Sequence, residues 1–183
     1  VRLMTVAPEL PGALDLIRYG ARRGAHFAMG HSEASPGQVR AAVEAGANQA
    51  THTFNAMPAL HHREPGILGA VLTDERVLAQ TIADGIHLHP MIVDLIVRLK
   101  GSRGTLLVTD AMQAAGLPDG DYHLGSEPVT VRGGIARNSR GALASSTLTL
   151  DQAVKNVAAF TRLPFEQIVP MASENAARSL GLF

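Results

Sequence analysis

The sequence predicts an α/β fold built around a parallel β-sheet, and three observations support this. Short apolar and β-branched runs alternate along the chain with helical patterns, which is typical of βα units. The strand-like runs lie near residues 2–7, 26–30, 49–54, 78–83 and 105–110. Polar residues follow these runs at their carboxyl ends, where α/β folds place their chemistry. We therefore expect about five βα units with a functional site at that edge.

Composition favours one globular domain with a small-molecule ligand. With 183 residues, 46% hydrophobic and 17% charged, the chain can bury a substantial core. The 16 Lys and Arg residues balance the 16 Asp and Glu residues, and the two signs are interspersed. We therefore expect neither nucleic acid nor a membrane surface as partner.

Several simple signals bear on location and on metal chemistry. The sequence shows neither a targeting leader nor an apolar run approaching the roughly 20 residues of a membrane helix, so we expect a cytoplasmic protein. It starts directly in a strand without an initiator methionine, which suggests a piece of a longer protein. Because cysteine is absent, histidine, carboxylate and water are the expected ligands of any metal.

Two helices have clear local signals. After the second strand-like run, Ser35 supplies an N-cap, Pro36 suits the first helical position and Gln38 can close a capping box, so a helix is expected up to Gly46. After the fourth run, a helix is expected from Pro90 to Gly101, with apolar residues at i, i+3, i+4 and i+7: Ile92, Leu95, Ile96 and Leu99.

The last third of the chain changes pattern. Residues 116–141 are rich in Pro, Gly, Asp and Asn around short alternating pieces, which predicts a β-hairpin inserted after the fifth strand. Helical spacing returns over residues 148–160, and a last helix is expected over residues 171–180. Neither repeats nor low-complexity tracts are evident.

Two histidines and one aspartate are the leading candidates for chemistry. His31 follows a strand-like run, and His52 lies where another is expected to give way to a loop. A single histidine so placed is more often structural, but two at one edge make joint metal ligation an equal alternative. Asp110 ends an apolar strand. It could bind metal, cap the next loop, or act as general base on a water whose pKa an ion lowers.

A possible anion clamp follows His52. Arg63, together with the side chain of Asn55 and the backbone N–H of Ala56, could hold a phosphate or a carboxylate. Glu9, after the first strand-like run, could be a metal ligand, although Pro-Glu is also an ordinary way to begin a loop.

Two further segments could face a ligand. One follows the fourth run and comprises Asp84, Gly85, Ile86 and His87, for which an aspartate turn before a helix is an equal alternative. The other comprises Leu143, Ala144, Ser145 and Ser146, which we expect to open the following helix. Its N–H groups could meet a ligand, or the serines could simply cap the helix.

The motifs VAPE, GHSEA, THTFNAMP with HHREPG, IADGIH, LLVTDAM and GALASSTLTLD occur in one order along nearly the whole chain. In this the sequence resembles the N-acetylglucosamine-6-phosphate deacetylases of the amidohydrolase superfamily. The resemblance implies His31 and His52 as metal ligands and Asp110 as the catalytic acid and base. It implies that the substrate contacts are Asn55, Ala56, Arg63, Asp84, Gly85, Ile86, His87, Leu143, Ala144 and Ser145.

The resemblance also implies an architecture and partners. Residues 1–183 would be the C-terminal part of a metal-dependent (β/α)8 TIM-type barrel, without its N-terminal strands and small β-sandwich. The cofactor would be a divalent metal, Zn²⁺ first, with Fe²⁺, Mn²⁺ and Co²⁺ as alternatives. A homodimer is expected, in which Arg63 or His87 reaches the neighbour's substrate. The family's His-x-His-Gly and Glu-Gly-Pro segments are absent, and Ser145 and Ala176 stand where glycine and proline are expected.

The expected function is therefore hydrolysis of the N-acetyl group of N-acetylglucosamine 6-phosphate, giving glucosamine 6-phosphate and acetate. The alternative is a non-catalytic barrel fragment that binds a phosphosugar or a partner and lacks a complete metal site. Five strand-like runs are fewer than the eight of a closed barrel, and this keeps the alternative open.

Overall fold

The computed structural model of the chain describes residues 1–182 and contains two β-sheets. The larger sheet is parallel, with strands in the order β1-β2-β3-β4-β5. This confirms the predicted α/β fold of five parallel strands alternating with helices. The strands are β1 (Leu3–Val6), β2 (His26–Met29), β3 (Ala47–Ala50), β4 (Leu78–Thr81) and β5 (Thr105–Leu107).

The first four helices connect successive strands and contribute to a core on one face of the sheet, and the last three follow the antiparallel sheet. They are α1 (Ala13–Ala21), α2 (Pro36–Ala45), α3 (Gly66–Thr73), α4 (Pro90–Gly104), α5 (Leu150–Thr161), α6 (Phe165–Ile168) and α7 (Glu174–Ser179). Buried strand residues such as Phe27 and Met29 join helix residues such as Ile67, Val71 and Ile96 in one core. None of the helices within residues 1–182 is both long and apolar enough to cross a membrane.

The other face of the sheet carries buried amides. Adjacent strand residues point to opposite faces, so Gln80 faces away from the core that holds Ala79. Gln80 Nε2 donates to Gln49 Oε1 at 2.8 Å, and Gln49 Nε2 donates to Ser179 Oγ of α7 at 3.1 Å. These bonds satisfy polar groups that would be costly to bury alone, and they attach α7 to the sheet.

The start of α2 confirms the predicted capping box. Ser35 Oγ accepts from the backbone N–H of Gln38, and Gln38 Oε1 accepts from the backbone N–H of Ser35. We expect Ser35→Ala to lower the free energy of unfolding by about 1 kcal/mol, which for a chain of this size lowers Tm by roughly 2–4 °C. Calorimetry on the wild-type protein and on the Ser35→Ala variant measures this difference in Tm. An unchanged Tm would contradict the stabilising contribution of the Ser35 cap.

The predicted β-hairpin is present and gains a third strand. The antiparallel sheet comprises β6 (Gly120–Leu124), β7 (Glu127–Arg132) and β8 (Ile135–Asn138). Val129 and Val131 of β7 are buried against a second apolar cluster that includes Met112 and Ala144. A two-stranded hairpin alone is marginally stable in water. The third strand and the burial of this cluster therefore help to stabilise the small sheet.

Several boundaries differ from expectation. The third strand ends at Ala50, because residues 51–57 form a turn instead of continuing to residue 54. Helix α5 begins at Leu150, two residues late. The expected last helix is split into a 3₁₀ turn, Val169–Ala172, and α7. Gly101 does interrupt α4 as predicted, with φ 65° and ψ 177°.

Candidate functional site

The polar residues that follow the strands share one edge of the parallel sheet. Each lies two or three residues beyond its strand: Glu9 after β1, His31 after β2, His52 after β3, Asp84 after β4 and Asp110 after β5. Because parallel strands end on the same side, the loops that carry these residues are neighbours.

The two histidines face each other across this edge. Nε2 of His31 lies 2.8 Å from Nε2 of His52, and the rings meet edge to face with centroids 4.6 Å apart. Two nitrogens bound tetrahedrally to one Zn²⁺ at about 2.0–2.1 Å stand roughly 3.3 Å apart. Moving the rings apart by roughly 0.5 Å would therefore admit an ion between them. The pair fits a divalent metal that takes two nitrogens from this chain.

The environment of His52 favours its neutral form, which is the form that binds metals. The residue is 8% exposed, and its Nδ1 is buried without a hydrogen-bond partner within residues 1–182. Burial lowers the pKa of His52, and the nearby His31 acts in the same direction. The negative charge of Asp110 opposes this shift.

Backbone strain is concentrated in the loops at this edge. Within residues 1–182, seven residues other than glycine have positive φ, which residues with a Cβ rarely adopt. Each costs of order 1–3 kcal/mol and persists only when its surroundings hold it. Six of the seven lie at this edge: His31 (φ 49°), His52 (26°), Phe54 (80°), Ala56 (50°), Asp110 (48°) and Ser145 (66°).

A cavity of about 490 Å³ opens beside His31, lined by His31, Ser32, Glu33, Ala56, Met57 and Pro58. The side-chain amide of Asn55 is hydrogen-bonded within its own turn, since its Nδ2 donates to the backbone oxygen of His52 at 3.1 Å. Arg63 is exposed and lies outside the cavity, with Nη1 2.7 Å from Nε2 of His62. Neither of these bonds joins Arg63 to Asn55 or Ala56, so the clamp of these three residues stays a prediction.

Asp84 and His87 form a closed pair after β4. Asp84 Oδ1 accepts from the backbone N–H groups of Ile86 and His87, both at 2.8 Å, and Oδ2 lies 2.6 Å from Nδ1 of His87. Burial disfavours the ionised carboxyl, but these hydrogen bonds outweigh it and lower the pKa of Asp84. Asp84 is thus an ionised turn residue that fixes the ring of His87, while Gly85 and Ile86 are exposed.

Leu143–Ser146 does not open a helix, because α5 begins later, at Leu150. Ala144 instead packs in the apolar cluster of the small sheet. Ser145 Oγ and the backbone N–H of Ser146 both donate to the backbone oxygen of Asp110, and Ser146 Oγ donates to that of Thr109. The segment is therefore hydrogen-bonded to the backbone just beyond β5 and holds Asp110 in place.

The described residues do not complete a metal shell by themselves. Across residues 1–182, there is no group of three or more His, Asp or Glu side chains arranged to hold an ion. Sequence reasoning missed the parts played by Ser32 and Ser146, whose hydroxyls bond across loops. The sequence offered one signal for each: Ser32 follows the candidate metal ligand His31, and Ser146 follows the candidate substrate contact Ser145.

Comparison with known proteins gives relatives over the whole chain, although no family model matches it. The chain is 48% identical over 179 residues to the N-acetylglucosamine-6-phosphate deacetylase of Vibrio furnissii, covering 98% of the chain and 45% of that protein. It is 47% identical over 131 residues to the putative N-acetylgalactosamine-6-phosphate deacetylase of Escherichia coli (strain K12), covering 72% of the chain and 78% of that protein.

A solved structure shares the fold. The chain matches a mutant N-acetyl-D-glucosamine-6-phosphate deacetylase from Mycobacterium smegmatis, in complex with N-acetyl-D-glucosamine-6-phosphate, with a TM-score of 0.95 and 40% identity. The match covers 99% of this chain and 49% of the other. The chain therefore spans about half the length of that structure and of the Vibrio furnissii protein.

Proposed function

The chain belongs to the N-acetylglucosamine-6-phosphate deacetylase family, and we propose that the protein carrying it hydrolyses the N-acetyl group of N-acetylglucosamine 6-phosphate. The products are glucosamine 6-phosphate and acetate. The observation that supports this most is the facing pair of His31 and His52, whose Nε2 atoms lie 2.8 Å apart at the edge of the sheet that also carries Asp110.

We propose that His31 and His52 hold a divalent metal ion through their Nε2 atoms. When bound there, the ion would supply a Lewis acid that polarises the acetamide carbonyl and lowers the pKa of water. Zn²⁺ suits two imidazoles best, and Fe²⁺, Mn²⁺ and Co²⁺ suit the same donors. Because the described residues offer two such donors, further ligands come from water or from chain beyond these residues.

Asp110 is the proposed acid and base of the reaction. As base, its carboxylate takes a proton from the attacking water while the new C–O bond forms at the acetamide carbon. As acid, it returns that proton to the nitrogen as the C–N bond breaks, so glucosamine leaves as the amine and acetate keeps both oxygens. The contacts with Ser145 and Ser146 hold the Asp110 backbone during both transfers.

The remaining candidates are proposed to bind the sugar phosphate. Arg63 and His87 supply positive or hydrogen-bonding groups for the phosphate, as guanidinium and imidazole groups do at anion sites. Ala56 lines the cavity beside His31, and Asn55 precedes it in the same turn. Leu143, Ala144 and Ser145 would border the sugar next to Asp110. Asp84, Gly85 and Ile86 form the turn that presents His87.

We further propose a homodimer in which Arg63 serves the neighbouring subunit. The support is that Arg63 is exposed and lies outside the cavity of its own chain. Mixing an Arg63→Ala subunit with an inactive Asp110→Asn subunit tests this. Activity regained on mixing supports a shared site, and activity that stays absent contradicts it.

Acetate release by the full-length product of the gene that encodes this chain tests the function. We expect rapid release from N-acetylglucosamine 6-phosphate and, without the phosphate, a fall in kcat/KM of at least about 100-fold, since charged hydrogen bonds are worth about 1.5–3 kcal/mol each. The galactosamine isomer provides the matched comparison for specificity. Equal rates with and without phosphate would contradict the proposed substrate.

A second candidate is that the chain by itself binds without turnover, as the C-terminal part of a barrel. The supporting observation is that β1 and β5 are edge strands of an open sheet, with Leu3 and Met4 of β1 each 37% exposed. Unpaired edges of this kind promote association.

We expect residues 1–183 expressed alone to bind metal weakly, to self-associate and to release no acetate. Size-exclusion chromatography, metal analysis and the acetate assay measure this, with the full-length gene product as control. A soluble monomeric chain with tightly bound metal and acetate release would rule out this second candidate.

A further inference from the structure

Glu9 lies where β1 passes into its loop, and both of its carboxylate oxygens are bonded to the loop that carries His31. Oε2 accepts a hydrogen bond from Ser32 Oγ at 2.6 Å, and Oε1 accepts one from the backbone N–H of Glu33 at 2.8 Å. Ser32 and Glu33 directly follow His31 in sequence. The carboxylate therefore ties the end of one strand to the segment that follows the candidate ligand on the next.

Ser32 extends this connection to the loop of the second histidine. Its side chain is buried, and its Oγ also accepts from the backbone N–H of Ala34 at 3.1 Å. Its own backbone N–H donates to the oxygen of Ala56 at 3.3 Å. Ala56 belongs to the same turn as His52. A continuous set of hydrogen bonds thus links Glu9 to both loops that present the histidine pair.

The conformation of His31 needs such support. Its φ of 49° lies in the left-handed region, which a residue with a Cβ does not favour, and its side chain is exposed. Before it, the backbone N–H of Gly30 still bonds to the oxygen of Val6 at 3.3 Å, as part of the sheet. After it, the bonds to Glu9 fix the chain. His31 is therefore held between the sheet and the Glu9 carboxylate.

We propose that Glu9 is a positioning residue whose carboxylate holds the His31 loop so that Nε2 of His31 faces Nε2 of His52. The proposal rests on the proposed function only where it assigns this pair to a metal. The sequence left open a second role for Glu9, as a metal ligand. Both carboxylate oxygens are already engaged by the loop, and Glu9 does not line the cavity beside His31.

Two substitutions separate positioning from ligation. In Glu9→Gln, the amide oxygen can accept from the Glu33 N–H and the amide N–H can donate to Ser32 Oγ, so the loop stays tied although the charge is gone. In Glu9→Ala both bonds are lost. A positioning role therefore predicts a large effect for alanine and a small one for glutamine, whereas a ligand role predicts a large effect for both.

Zn²⁺ affinity of the full-length gene product, measured by competition with a chromophoric chelator, gives the first readout. We expect Glu9→Ala to weaken binding about 10–100-fold, as is usual when groups behind a metal ligand are removed. We expect Glu9→Gln to stay within about threefold of wild type and to retain the wild-type kcat. Glu44→Ala, which removes an exposed carboxylate from α2, is the control. Equal losses in Glu9→Gln and Glu9→Ala would overturn the proposal.

Hydrogen exchange at the backbone N–H of Ser32 gives a readout that needs neither metal nor turnover. This N–H donates to the backbone oxygen of Ala56 and not to Glu9, so its exchange rate rises only if the whole loop loosens. We expect its exchange to be at least about tenfold faster in Glu9→Ala and nearly unchanged in Glu9→Gln. If Zn²⁺ does not bind or acetate is not released by wild type, the proposed function fails while this measurement still decides the inference. Unchanged exchange in Glu9→Ala would refute it.

Discussion

Replacing Asp110 with asparagine is expected to lower kcat for acetate release by about 10²–10⁴-fold, the range that general acid–base catalysis supplies. Asparagine has nearly the same shape but can neither take the proton of water nor return one to the leaving nitrogen. It also tolerates the left-handed region that Asp110 occupies at φ 48°. The fold and the substrate contacts should therefore survive, and KM should stay within about threefold.

Steady-state kinetics of the full-length gene product measures both parameters. Asp15→Asn is a suitable control, because the Asp15 carboxylate is 86% exposed on α1 and forms a surface ion pair with Arg18 of the same helix. Near-normal turnover by Asp110→Asn would show that Asp110 is not the acid and base of the reaction. A large rise in KM with kcat unchanged would instead assign it to substrate binding.

Replacing His52 is expected to have the second large effect, on metal binding. Substituting a group that hydrogen-bonds to a metal ligand typically lowers metal affinity 10–100-fold. Loss of one of the two facing nitrogens themselves should therefore lower it at least about 100-fold. His52→Asn is preferable to alanine, because asparagine tolerates positive φ and leaves a polar group at a site that is 8% exposed. Activity should fall in parallel and should recover in part at high metal concentration.

Chelator competition and metal analysis measure this directly. His123→Asn provides a matched histidine control, since His123 is exposed on β6 of the small sheet. Wild-type metal content in His52→Asn would contradict the assignment of the histidine pair. Lost activity with retained metal would point to a role for His52 in substrate binding instead.

Much of the fold could be predicted because its signals are local. The capping box from Ser35 to Gln38 spans four residues, and every contact in it is within one turn of helix. The break at Gly101 likewise reflects the backbone freedom of a single glycine. The placement of polar residues at one edge followed from strand direction alone, since parallel strands end on the same side.

What the sequence did not reveal depends on contacts between distant residues. Ser145 reaches the backbone of Asp110 across 35 positions, so its segment looked like the start of a helix. Glu9 reaches Ser32 across 23 positions, and neither residue type signals that partner. Arg63 is exposed and does not line the cavity beside His31. Its position depends on how the 58–65 loop leaves the sheet, for which local propensity gives no rule.

The assignment of His31, His52 and Asp110 to one metal-dependent site is tested most directly by anomalous X-ray diffraction. Crystals of the full-length Asp110→Asn protein, with Zn²⁺ and N-acetylglucosamine 6-phosphate present, should retain unreacted substrate. We predict a zinc peak between Nε2 of His31 and Nε2 of His52, with the acetamide group beside it and within reach of residue 110. A zinc peak elsewhere, or a substrate whose acetamide lies away from this edge of the sheet, would contradict the assignment.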